Sequence, residues 1–79
     1  MKEDRKKDID KYIGELIYIN RHRKHLSQRG LGAMLGVSGT QVSKYERGID
    51  KFPLNTVPDL MNSLGIELEE LFPEELIVH

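Results

Sequence analysis

Residues 26–48 read LSQRGLGAMLGVSGTQVSKYERG, two short helical patterns joined by a turn tight enough to make a corner. Ser27 is suited to cap the first helix, because its hydroxyl can accept from backbone N–H groups that lack a partner at a helix start. Apolar side chains then recur at Leu31 and Leu35. Gly36 can take the left-handed backbone that ends helices, Val37 is expected to tuck inward, and Ser38 is placed to cap a second helix running to Arg47. Gly48 ends that helix in the same way. Within it, Val42, Tyr45 and Glu46 stand at i, i+3 and i+4, so they share a face that the two apolar members turn to the core. The opposite face carries Gly39, Thr40, Ser43, Lys44 and Arg47, small, hydrogen-bonding or cationic residues suited to close approach to a polyanion.

Upstream, Ile9, Tyr12, Ile13, Leu16 and Ile17 keep the spacing of a core-facing helical stripe. Asn20 breaks that stripe, and either finds a buried hydrogen-bond partner or loosens the helix end. The first eight residues, MKEDRKKD, have no apolar side chain after Met1 and read as a flexible arm, residues 1–8. A phosphate or minor-groove contact by Arg5, Lys6 or Lys7 is the secondary reading of that arm. Gly30 and Gly32 fall inside the helix that follows Ser27, each at a cost of about 1 kcal/mol relative to alanine. A position without a side chain at Gly32 would let the next helix cross close by; Gly30 has no such explanation. Gly30, Gly32 and Gly36 do not make a dinucleotide-binding loop, because that motif follows a strand and here a helix precedes it.

Downstream, Val57, Leu60, Met61 and Leu64 form the apolar face of a further helix, with Pro58 tolerable only in its first turn. Asn55 is therefore the expected cap and Gly65 the stop. A final short helix, about residues 67–72, contributes Leu68, Leu71 and Phe72 before Pro73 closes a domain spanning 9–73. Residues 74–79 read as a short acidic tail with apolar Leu76, Ile77 and Val78.

Seventy-nine residues are expected to form one domain, burying roughly 60% of the unfolded chain's surface, so dimerisation would add stability. With no cysteine there is no disulfide framework or thiolate metal site. With no signal sequence or long apolar run, the expected location is the cytoplasm, on the nucleoid. The net charge of −1 conceals an asymmetry: residues 1–51 hold all 12 Lys and Arg against 7 acids, whereas 52–79 hold 6 acids and no base. The first part suits phosphate; the second would repel it and is left free for a protein partner.

These residues resemble the lambda Cro/cI-type (xenobiotic-response-element-like) helix-turn-helix DNA-binding domains. Ile13-Gly14, Arg21, Leu26-Ser27-Gln28, Leu31-Gly32, Leu35-Gly36-Val37-Ser38, Val42-Ser43-Lys44-Tyr45-Glu46-Arg47-Gly48, Leu64-Gly65-Ile66 and Leu71-Phe72 follow that family's pattern without an insertion, over residues 9–72. The resemblance implies an all-α, compact five-helix lambda-repressor-like domain. Helix three would read the major groove as part of a transcriptional regulator, expected to be a repressor. It also implies a homodimer on a near-palindromic site, with half-sites roughly 34 Å apart.

Carried over position by position, Gly39, Thr40 and Lys44 would lie at the base edges, with Ser43 a secondary candidate. Gly39 cannot itself read a base and would permit closer backbone approach. Gln28, Gln41, Arg47 and Lys51 would contact phosphates. Arg21 and Glu46 match a structural salt bridge between helices one and three. His22 and His25, one helical turn apart, have no nearby carboxylate or thiolate to complete a zinc site, so no metal or cofactor is expected. No nucleophile has a defensible base, and an enzyme is the disfavoured class. The competing reading keeps the fold as an antitoxin-like or other protein-binding module, with its partner held by the C-terminal half.

Overall fold

The structure, a computed structural model, describes the backbone of residues 2–71 and the side chains of 9–67, 69 and 70. Helix α1 spans Lys2–Arg23, α2 Gln28–Leu35, α3 Gly39–Glu46 and α4 Val57–Leu64. A 3-10 turn, Leu54–Thr56, leads into α4, and α5, Leu68–Leu71, is a single helical turn. No strand occurs among the described residues. Among the described residues the chain is thus a compact all-α domain of four helices, with one further turn, Leu68–Leu71, where the fifth is expected. The expected close at Phe72 and Pro73 and the tail 74–79 lie outside the described residues.

The start of α1 departs from expectation. It begins at Lys2 rather than Ile9, so the segment expected as a flexible arm continues the helix. Its composition explains this: Lys, Glu and Arg are strong helix formers, and Glu3 and Asp4 fall where the positive end of the helix dipole favours acids. Lack of apolar residues removes a packing face without opposing the helix. The contacts considered for Arg5, Lys6 and Lys7 concern side chains outside the described set.

Ile17, Leu31, Val42, Leu60 and Leu64 are fully buried, and Tyr45 and Ile66 join them in one core. Each of α1 to α4 contributes, so the apolar stripes read from the sequence meet. Ile13 and Leu16 pack partly buried against this centre, as do Val37, Val57 and Met61. Asn20 is buried, and its Nδ2 donates to the Leu16 carbonyl 2.9 Å away, so the break in the stripe is satisfied within the helix itself. The C-terminus of α1 closes through Leu26 N–H to the Arg21 carbonyl at 3.0 Å, with His25 left-handed at φ 56°.

Two glycines set how closely the helices cross. A Cβ on Gly14 would lie 2.5 Å from the carbonyl oxygens of both Tyr45 and Glu46, so α1 meets the end of α3 at a point where no side chain fits. A Cβ on Gly32 would lie 2.5 Å from the Val37 carbonyl, which places the close approach expected there against the turn between α2 and α3. Gly30 acquires a milder reason: its Cβ would stand 3.1 Å from the Ser27 Oγ that caps α2.

The α4 start also corrects the sequence reading. Asn55 lies inside the 3-10 turn and is not the cap; Thr56 occupies that position with no side-chain hydrogen bond to the helix. The backbone enters α4 already helical, with Thr56 N–H donating to the Pro53 carbonyl at 3.0 Å. Pro58 falls in the first turn and removes a donor that would otherwise lack an acceptor. Gly65 ends α4 at φ 67°. Tyr12 donates its hydroxyl to the Glu70 carbonyl, tying α5 to α1. No described helix is long and apolar enough to cross a membrane.

Candidate nucleic-acid interface

The corner between α2 and α3 is built from local chemistry. Ser27 Oγ accepts from Gly30 N–H at 2.8 Å, and Ser38 Oγ from Gln41 N–H at 3.0 Å, so both helices begin at the capping serines the sequence suggests. Gly36 ends α2 with φ 77°, and Val37 N–H returns to the Gly32 carbonyl at 2.8 Å. Three residues therefore turn the chain from one helix into the next.

The buried side of α3 is held by more than Val42 and Tyr45. Glu46 Oε2 accepts from Arg21 Nε at 2.6 Å and Oε1 from Arg21 Nη2 at 3.2 Å, a two-point ion pair whose side chains are 8% and 5% exposed. Gln28 Nε2 donates to the same Oε1 at 3.0 Å, and Arg21 Nη1 donates to the Leu26 carbonyl at 2.9 Å. One carboxylate thus joins α1, α2 and α3. Orientation of α3 about its own axis is fixed, and with it the direction of the opposite face.

That opposite face carries Thr40 and Arg47 exposed, with Ser43 and Lys44 half-buried between them. The side chains of Thr40, Ser43 and Lys44 make no hydrogen bond or ion pair within the described residues. Arg47, exposed, donates its Nε to the Ser43 carbonyl at 3.3 Å. Helical spacing brings these four into one row; Lys51, exposed, follows in the loop after α3.

Other candidates are placed differently. Gln28 is half-buried with its amide on Glu46, so a phosphate contact there relies on its second N–H and on the backbone N–H groups at the start of α2. Gln41 Nε2 donates to Asp50 Oδ2 at 2.9 Å, which fastens the loop carrying Lys51 to α3. Tyr45 and Phe52 meet edge to face, with ring centroids 4.9 Å apart, at the other end of that loop. The closer approach expected at Gly39 is to the protein itself: a Cβ there would lie 3.1 Å from both N and Cα of Arg29.

Sequence spacing gives no reason to single out Arg29, which the fold sets beside the head of α3. A glycine at the first position of a helix otherwise ready to read was the available signal. The two histidines do not make a pair along one helix. His22 stacks obliquely on Tyr18 with centroids 4.3 Å apart, while His25 lies beyond the end of α1. No group of three or more metal-ligating side chains occurs among the described residues.

Comparison with known proteins is consistent with this geometry. Residues 17–71 match a family described as Helix-turn-helix. An uncharacterized HTH-type transcriptional regulator, y4wC, of Sinorhizobium fredii (strain NBRC 101917 / NGR234) is 29% identical over 68 residues, covering 86% of this chain and 48% of that one. An uncharacterized transcriptional regulator in the ATPase CF(0) region of Rhodospirillum rubrum is 27% identical over 66 residues, covering 84% and 61%. An uncharacterized HTH-type transcriptional regulator of Sinorhizobium medicae (strain WSM419) is 29% identical over 76 residues, covering 94% and 55%. The chain spans about half the length of the curated relatives it matches. No solved structure matches it significantly.

Proposed function

The chain belongs to the Cro/cI-type helix-turn-helix family, and from that premise we propose that it is a sequence-specific double-stranded DNA-binding transcriptional regulator, acting as a repressor. Family membership makes it a binding domain rather than an enzyme. The observation that carries this reading is the division of α3 into two faces. Val42, Tyr45 and Glu46 are locked inward, and Thr40, Ser43 and Lys44, on the face away from them, have side chains with no hydrogen bond or ion pair among the described residues.

On this reading α3 enters the major groove. Lys44 donates to guanine O6 or N7, and Thr40 meets a thymine methyl or a hydrogen-bonding base edge. Ser43 reads secondarily. Arg47, Lys51, Gln28 and Gln41 hold the flanking phosphates, directly or, for Gln41, by anchoring the loop that carries Lys51; such contacts set register and affinity rather than sequence. Glu46 and Arg21 fix the angle at which α3 is presented. The turn Leu68–Leu71 stands as the fifth helix of the lambda-repressor-like arrangement, and a homodimer places two reading helices roughly 34 Å apart on a near-palindromic site.

Titration of labelled duplexes against the protein at increasing salt, with footprinting of the bound site, tests this reading. Affinity is expected to fall with a slope of about −0.9 in log K per phosphate neutralised, and the footprint to cover two half-sites. Salt-insensitive binding contradicts phosphate contact, and a footprint of one half-site contradicts the dimer.

A further inference from the structure

We propose that Arg29, on α2, reads a guanine at the step that Gly39 leaves unread at the head of α3. This rests on major-groove reading by α3. Gly39 has no side chain, and the packing is tight there: a Cβ would lie 3.1 Å from Arg29 N and Cα, so α2 would have to give by a few tenths of an ångström to admit one. The first position of α3 therefore carries no reading side chain, and its backbone packs closely on α2.

The same packing brings the Arg29 side chain to that position. Its Cβ lies 3.4 Å from where a Gly39 Cβ would be, so the arginine leaves α2 beside the vacant site. A concavity of about 450 Å³ opens there, lined by Arg29, Ala33, Val37, Ser38, Gly39 and Thr40. Arg29 and Thr40 are both exposed at its rim. No acidic residue occupies the first turn of α2, and Arg29 has no hydrogen bond or ion pair within the described residues. In this it differs from Arg21, bound to Glu46, and from Arg47, turned onto its own helix.

Chemistry selects the ligand group. A guanidinium presents two parallel N–H donors in a rigid fork, which matches O6 and N7 of guanine in the major groove. A phosphate also accepts such a fork, but a phosphate contact carries no base preference and survives replacement of arginine by lysine better than a bidentate base contact does. That difference separates the two.

The test is selection of bound duplexes from a random pool by the native protein, Arg29→Ala and Arg29→Lys, each first shown to be folded by circular dichroism. The native motif is expected to contain a guanine step distinct from the one lost in Lys44→Ala. Arg29→Ala should lose preference at that step alone, by roughly 5- to 150-fold. Arg29→Lys should keep the native salt slope while weakening the guanine preference, less than Arg29→Ala does, because an ammonium reaches O6 or N7 without the rigid two-donor fork. Unchanged preference at every position in Arg29→Ala, with affinity lowered alike for all sequences and a shallower salt slope, would assign Arg29 to phosphate and overturn the inference. A folded native protein that enriches no motif would overturn the major-groove premise, and this inference with it.

Discussion

Glu46→Ala removes the acceptor on which three helices converge, and its cost can be worked from the contacts. Two bonds from Arg21, at 2.6 and 3.2 Å, and one from Gln28, at 3.0 Å, lose their oxygen atoms. The guanidinium keeps the Leu26 carbonyl at 2.9 Å, but its side chain is only 8% exposed, so water can do little to replace the lost carboxylate. Leaving one member of a buried ion pair uncompensated typically costs about 3–5 kcal/mol. A chain of 79 residues is expected to be stable by about 4–12 kcal/mol in total, so the variant sits near the edge of folding. Urea titration followed by far-ultraviolet circular dichroism reads this directly. With a denaturant slope of about 1 kcal/mol/M, the midpoint should fall by about 3 M or the variant should be unfolded without urea. Arg21→Met/Glu46→Leu, which removes both charges together, should recover most of the loss. A cost below about 1 kcal/mol for Glu46→Ala, as for an exposed pair, would refute the reasoning; so would a double variant as unstable as the sum of the singles.

Gly14→Ala should destabilise by about 2 kcal/mol or more in a thermal melt despite alanine's better helix propensity, because its Cβ would meet the Tyr45 and Glu46 carbonyls at 2.5 Å. A stabilised variant would show that α1 and α3 do not cross there. Asn20→Leu should stabilise by about 1 kcal/mol, since among the described residues the amide bonds only to its own helix and the residue is buried; a loss in the same assay would reveal a further partner for the amide. Lys44→Ala should flatten base preference at one step, whereas Lys51→Ala should weaken every sequence alike, a contrast that competition with single-base operator variants measures.

The sequence was most legible where structure is decided by neighbouring residues. Ser27 and Ser38 cap because each oxygen lies within reach of an N–H three residues on, and Gly36 and Gly65 stop helices because left-handed backbone favours glycine. The inward set of α3 followed from spacing, as did Leu60 and Leu64 of α4. The α1 start was less legible, since the search for an apolar stripe passes over residues that are helical by propensity alone. Asn55 looked like a cap because its chemistry suits one, but capping needs a non-helical backbone, and the 3-10 turn supplies a helical one. The reasons for Gly14 and Gly39 lie in residues far along the chain or on another helix, so periodicity could not reach them. For the same cause Gln28 and Gln41 were readable as polar surface residues, while their partners, Glu46 and Asp50, emerged only when the helices were packed.

The central claim is that the outward face of α3 reads a base sequence. The most direct measurement is selection from a random duplex pool at near-physiological salt by the native protein and by Thr40→Ala/Lys44→Ala in parallel. Both substituted side chains lie outside the core, so folding should be retained. The account predicts a motif with two-fold symmetry from the native protein and its loss from the variant. The same motif from both proteins, or none from a folded native chain, would contradict it.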